Sequence, residues 1–352
     1  MGSGAMDEVV AGGGFAHAGV HQFSTTAAPA TRRWWRAGSP RAFVAGVMVD
    51  ELTRCQMTGG DALDDLNGKV AVVTGGAAGI GRGIVEALLI EEARVVIADI
   101  EEEVLETTVK ELSEMGAVRG VVTDVASPAS VEALASDVFG TEGACHYLFN
   151  NAGVTSGGGG RPWEQEANDW VWCFSVNVFG VANGMLSFVP RMIESGEHGV
   201  VVNTSSMDGG IAPVPYASVY ASSKAAISCL TEALAHQLAA AGTNLRAAVF
   251  YPSGGLLDTG LWTAQRNRPA DLARVTPRPP APGTTFEEFK AQLEASGHPA
   301  QLMDLRELGR FCVEGVLRGD FIIAHGLEDA AAMLHRRADA IGAGQLPPAA
   351  LS

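Results

Sequence analysis

The sequence is poor in the residues that build disulfide, metal and membrane structures. Its five cysteines, Cys55, Cys145, Cys173, Cys229 and Cys312, are scattered, odd in number and form no Cys-x-x-Cys pair. That pattern excludes a disulfide framework and points to a reducing, cytoplasmic setting. The eight histidines never fall at ligand spacing, so no metal site is expected. Basic residues number 24 against 40 acidic ones, and the net charge of −16, with no basic stripe, excludes nucleic acid and anionic membrane as partners. Apolar runs such as Val200–Val202 and Phe321–Ala324 are strand-sized, far short of a bilayer crossing. A second glycine turn is also missing, so the 352 residues, 47% of them apolar, are read as one domain with a large core.

Residues 1–65 read as an N-terminal arm, rich in Gly, Ala and Thr without sustained periodicity. Met1–Met6 looks like an expression remnant, and Met57 is a credible start. Arg32 and Arg33 followed by Ala42–Val49 resemble an export signal. Pro40 and Arg41 interrupt the approach, however, Asp50 and Glu51 close the run, and no Ala-x-Ala site follows.

What remains is an alternation of strand and helix. Strands are expected near 69–74, 94–98, 118–123, 146–149, 199–204 and 245–250, with a short last one at Phe321–Ala324. This spacing predicts an α/β fold: a doubly wound parallel sheet in a single domain, 66–342, followed by a tail at 343–352 that ends frayed. Ligands bind such sheets at the strands' carboxyl ends, where Gly75, Asp99, Asp124, Asn151 and Ser206 all fall.

The run Val70–Thr74 leads into Gly75-Gly76-Ala77-Ala78-Gly79-Ile80-Gly81 and then an amphipathic helix, 80–92. Gly79 and Gly81 allow close backbone approach to a pyrophosphate, which the helix N-terminus would stabilise. Asp99, just over twenty residues beyond the turn, can accept hydrogen bonds from an adenosine ribose and repels a 2′-phosphate. Ala78 and Ile100 add no basic group, so NAD is favoured over NADP. Asp99 can also serve as a helix N-cap before Glu101–Glu103. Tyr220 and Lys224 stand at i and i+4 on a second helix, where a phenol and an ammonium share one face. A cation favours the phenolate, making the pair a candidate acid/base. Tyr216, a rival phenol, has Tyr220 and no lysine at that spacing.

Taken in order, these motifs resemble the short-chain dehydrogenases/reductases across residues 66–258. Thr74–Gly81 match the family's Thr-Gly-x-x-x-Gly-x-Gly, Asp124-Val125 its adenine-contacting pair, and Asn150–Gly153 its Asn-Asn-Ala-Gly. Asn177, Ser206, Tyr220 and Lys224 match the catalytic set; the Ser-Ser-x-x-Gly pattern selects Ser206 over Ser205. The resemblance implies a Rossmann-like fold and cofactor contacts from Gly75, Ala78, Gly79, Ile80, Gly81, Asp99, Asp124, Val125, Asn151, Gly153, Tyr220, Lys224, Pro252 and Thr259. It also implies a substrate lid over about 256–318, with Leu256, Leu257, Leu261 and Trp262 against the substrate. Asn177 would hold a water beside Lys224, and Lys224 would lower the pKa of Tyr220.

The chemistry implied is hydride transfer between NAD and a secondary alcohol or ketone, bulky and apolar, in a homodimer or homotetramer built on helices 164–195 and 217–241. The Asn203-Thr-Ser-Ser strand and the long lid are similar to members acting on aryl or alicyclic alcohols, including the lignin aryl-ether dehydrogenases. A 3-oxoacyl-type ketone reductase using NADPH is the enzyme alternative; a catalytically silent NAD-sensing or scaffold protein is the alternative of another class. Bland readings stand beside the matches. Asp124 could begin a turn before Ser127-Pro128, Asn150 and Asn151 could bond their own backbone, Asn177 could be a structural amide, and Leu261 and Trp262 could merely pack. Two departures are visible: the span from Ser206 to Tyr220 is about one residue long, and Pro252-Ser253-Gly254-Gly255 replaces a Pro-Gly strand end.

Overall fold

The structure, a computed structural model, describes residues 65–156, 160–276, 285–297 and 300–350. The expected arm, all but its last residue, and most of the Pro-rich 275–284 connector lie outside them. Seven strands form one parallel sheet in the order β3-β2-β1-β4-β5-β6-β7: β1 Val70–Thr74, β2 Arg94–Asp99, β3 Val118–Val122, β4 Tyr147–Asn150, β5 Gly199–Thr204, β6 Leu245–Phe250 and β7 Ile322–Ile323. The strand order reverses between β1 and β4, which opens a crevice at their carboxyl ends.

Period-two alternation fills both faces. Ala71 and Val73 of β1 face one layer with Ile84, Leu88, Ile97, Phe149 and Phe250, while Val70 and Val72 face the other with Val96, Leu134, Leu148, Phe188 and Val201. The covering helices are α1 Gly79–Ile90, α2 Glu102–Leu112, α3 Pro128–Glu142, α4 Ala167–Phe174, α5 Gly180–Ser195, α6 Ser218–Ala240, α7 Phe286–Ala295, α8 Leu305–Arg318 and α9 Leu327–Gly342. The expected helix 164–195 is interrupted by a π turn, Ser175–Phe179, between α4 and α5. The whole segment Ala167–Ser195 is long and apolar enough to cross a membrane by composition alone. One face of it packs into the fold, where its polar residues Asn177, Asn183 and Ser187 are buried.

Two boundaries differ from expectation. The helix closing the expected lid, α8, is core: Leu308, Cys312, Val313 and Val316 pack under the sheet. Its backbone crosses α1 so closely that a Cβ on Gly83 would lie 2.2 Å from Leu305 O, and one on Gly309 would lie 2.1 Å from the Gly83 carbonyl carbon. The covering segment therefore ends before Asp304, whose side chain caps α8. The tail, expected to fray, is held: Arg337 donates to Pro348 O at 2.8 Å and Ala350 N to Pro213 O at 3.0 Å.

Candidate active site

Between β1 and α1 the chain turns through Gly75, φ +62°, and Gly79, φ +58°, conformations that a side chain resists. Close approach fixes Gly81 as well, since a Cβ there would lie 2.0 Å from Gly75 O. No side chain caps α1 and no acid stands in its first turn, so its leading N–H groups suit a pyrophosphate. Thr74 Oγ1 ties the opposite wall, accepting from Asn151 N at 3.0 Å and Ala152 N at 3.1 Å. Asn151 Nδ2 returns bonds to Thr74 O at 3.2 Å and Gly75 O at 3.3 Å. Its side chain braces the glycine turn.

Asp99 ends β2 and faces that turn. Its Oδ2 accepts from Ala77 N at 3.0 Å and its Oδ1 from Glu101 N at 3.1 Å. Burial raises its pKa, and the backbone donors oppose the rise. Glu101, not Asp99, is the N-cap residue of α2, and no side chain caps that helix, so the N-cap alternative for Asp99 is not what forms. Beside Asp99 a cleft of about 540 Å³ is lined by Ala78, Gly79, Arg82, Glu103 and Thr107. Arg82 is engaged there by Glu86 at 3.0 Å and Glu111 at 2.8 Å. Asp124 shows its local role, its Oδ1 accepting from Ala126 N at 2.9 Å in the turn before α3. The Val125 carbonyl accepts from Asn183 Nδ2 at 2.9 Å.

The acid/base candidates converge at the ends of β5 and α6. Lys224 is buried, donates to Thr204 O at 2.9 Å and sits over the Tyr220 ring, 5.6 Å from its centroid. Burial pulls this lysine down to about 8. The Ser206 hydroxyl lies near enough to the Tyr220 phenol to favour its ionised form, and it accepts from Asp208 N at 3.1 Å. Burial, the largest influence, holds the Tyr220 phenol above its ordinary value; the Ser206 hydroxyl opposes it and the Asp208 charge adds to it. The expected lowering by Lys224 is therefore not what forms: desolvation raises the phenol and the Ser206 hydroxyl is what opposes it. Ser205 points elsewhere, its Oγ donating to Lys224 O at 2.7 Å, and Tyr216 is exposed. The extra residue after Ser206 is absorbed by a tight loop: Gly209, φ +100°, lies so near α6 that a Cβ would be 1.9 Å from Ala221 O.

Asn177 lies in the π turn, a geometry common at functional sites. Its side chain is fully used: Oδ1 accepts from Val154 N at 2.8 Å, while Nδ2 donates to Val154 O at 3.0 Å and Ser223 Oγ at 2.9 Å. The structural-amide reading is thus met. A Cβ on Gly153 would stand 3.4 Å from Asn177 Oδ1 and 3.5 Å from Lys224 Nζ, which places these groups side by side.

The covering segment starts beyond Pro252. Leu256 bridges to Leu302, Leu257 packs on the core, and Trp262 donates to Leu257 O at 2.9 Å while meeting Phe286 edge-on and Phe289 at a tilt. Trp262 therefore packs within the cover itself. Thr259 stands over the glycine turn, 3.6 Å from where a Gly79 Cβ would lie. Arg268, at 2.9 Å, and Arg274 both pair with Asp169, a fully buried acid of α4. Neither this cluster nor the charge of Asp208 was visible in the motif pattern, which treats position 208 as a wildcard.

The short chain dehydrogenase model matches residues 69–269, more than half of the chain. The chain belongs to this family. It is 35% identical over 227 residues to the 1-deoxy-11-beta-hydroxypentalenate dehydrogenase of Streptomyces avermitilis, covering 64% of this chain and 79% of that one. A short-chain dehydrogenase/reductase from Burkholderia phymatum, solved with NAD, superposes at TM-score 0.72 and 35% identity over 82% of this chain and 99% of its own. A metagenomic short-chain oxidoreductase solved with NADP superposes at 0.50 and 30% identity, over 54% and 84%. As a short-chain dehydrogenase the protein is an oxidoreductase that uses a nicotinamide cofactor.

Proposed function

We propose that this short-chain dehydrogenase interconverts a secondary alcohol and a ketone with NAD, using Tyr220 as acid/base. The observation that carries the reading is buried Lys224 set over the Tyr220 ring with Ser206 nearby, at the carboxyl end of the same sheet as the glycine turn. Ser206 would hold the substrate oxygen, and Tyr220 would exchange the hydroxyl proton with it. When bound, the nicotinamide supplies the hydride acceptor or donor. A raised phenol pKa keeps Tyr220 protonated near neutrality, the form that donates to a carbonyl oxygen; alcohol oxidation is favoured as pH rises.

NAD preference is supported by Asp99 and by the state of the nearby cations: Arg82 is taken by Glu86 and Glu111, and Arg266 by Glu101. A bulky apolar substrate is proposed from the apolar character of the covering segment, Leu256, Leu257, Leu261 and Trp262, although Trp262 itself packs inside that cover. We also read the protein as cytoplasmic and as a homodimer or homotetramer. Val171, Phe179, Leu186 and Ile193 are large, exposed and spaced 8, 7 and 7 residues apart along the 167–195 helix. The extra residue of the π turn keeps them on one stripe.

Tyr220→Phe tests the reading on a panel of aryl and alicyclic secondary alcohols and their ketones. Turnover should fall at least about a thousandfold while NADH still binds; an unchanged turnover number refutes the assignment.

A further inference from the structure

The 3-10 turn Gly260–Asn267 meets the dinucleotide end of the sheet twice, by a van der Waals approach at its start and by hydrogen bonds at its end. At its start, Thr259 stands over Gly79. At its end, Arg266 forks onto Glu101, Nε to Oε2 at 3.0 Å and Nη2 to Oε1 at 2.5 Å, and Asn267 Nδ2 adds a bond to Oε1 at 3.0 Å. The other side of the guanidinium is also occupied: Nη1 donates to Gly260 O at 2.9 Å and Thr263 Oγ1 at 2.8 Å. Arg266 thus stiffens its own turn while gripping Glu101. Glu101 in turn donates its N–H to Asp99 Oδ1, the carboxylate facing the glycine turn. The two partners come from opposite sides of the cleft, 165 residues apart in sequence.

We infer that Glu101, Arg266 and Asn267 form a latch that holds the cover down across the ribose end of the cofactor site, so that cofactor release waits for this contact to break. The inference rests on the dinucleotide reading of the glycine turn. The fastened turn reaches from Gly79, where the pyrophosphate would sit, to the Asp99–Glu101 loop, where the ribose would sit. A ligand seated along that line cannot leave past the turn while both ends hold. Glu101 is a positioning residue in this scheme. The pair is partly exposed, with side chains 23% and 39% accessible, so it opens readily and is screened by salt. A contact of this strength suits a device that must release product in every cycle.

The test is stopped-flow fluorescence of NADH release from the full-length enzyme, comparing wild type with Glu101→Gln, Arg266→Met and the double variant. Each single variant should release NADH about three- to tenfold faster with a smaller change in the association rate, and the double variant should be no faster than the singles. Raising salt should speed release from wild type and leave the variants flat. The contrast in salt dependence between wild type and variants isolates this ion pair from the screening of the cofactor's own charge. Equal release rates throughout, effects that add in the double variant, or salt-independent release from wild type would overturn the latch and leave the cofactor reading standing. Failure of the wild type to bind NADH would overturn both.

Discussion

Lys224 should cost the free protein stability, and the cost should depend on pH in a defined way. The side chain is 3% exposed and has one hydrogen-bond partner, Thr204 O. Desolvation pulls its pKa from the ordinary lysine value of 10.5 to about 8. At about 1.4 kcal/mol per pKa unit, folding with a charged Lys224 costs about 3 kcal/mol at pH 7. Because the folded value lies below the unfolded one, the unfolded chain carries the extra proton between about pH 8 and 10.5. Stability contributed by this group therefore rises with pH across that window, and about 1.4 kcal/mol of the penalty is left at pH 9.5.

Lys224→Met removes the penalty and strands the Thr204 carbonyl, which costs about 1–3 kcal/mol at any pH. The sign at neutral pH hangs on those opposed terms, but the pH dependence does not. Urea unfolding of the cofactor-free wild type and variant at both pH values should show the wild type gaining about 2 kcal/mol relative to Lys224→Met on going from pH 7 to 9.5. Other titrating groups are common to the two proteins and cancel. A difference that stays flat, or one that moves in the variant's favour, would refute the claim that this lysine is held charged against its desolvation. Turnover should be lost in the variant whatever its stability, since a buried amine held at a stability cost is a mark of a functional site.

Asp208 bears on the same site from the other side. Its charge raises the Tyr220 pKa, so Asp208→Asn should move the rising limb of the alcohol-oxidation pH profile toward acid; a shift toward alkali, or none, contradicts the coupling. The exposed apolar stripe predicts assembly. Leu186→Glu combined with Phe179→Glu should lower the sedimentation mass to that of a monomer, and an unchanged mass would remove this face as the subunit contact.

The parts of the site that could be read from sequence are those that backbone geometry forces. Gly75 and Gly81 are legible because no Cβ fits where their neighbours stand, and Tyr220 and Lys224 because one helical turn puts them on one face. Strand and helix alternation placed β5 and β6 at their observed bounds for the same reason: a buried parallel strand needs an unbroken apolar run. What was not legible depends on pairings with no local pattern. Glu101 and Arg266 lie 165 residues apart and Asp169 and Arg268 lie 99 apart, so no window of sequence holds both partners. α8 was assigned to the cover because its position in the chain follows the lid; its burial is set by Gly83 and Gly309, whose mutual approach exists only once the helices cross.

The Tyr220 pKa failed for a different reason. The i, i+4 spacing gives the distance between two groups but not the dielectric around them, and here desolvation is the largest influence on the phenol and raises it. Desolvation pushes both members of the pair toward their neutral forms, the tyrosine up and the lysine down. A protein that buries both groups without their charges pre-set leaves the final adjustment to whatever enters the cleft. The pair is accordingly tuned by the ligands it meets: the Lys224 amine, followed by NMR of lysine-labelled wild type, should titrate at a different pH with cofactor bound than without it, and an unmoved titration would refute the tuning.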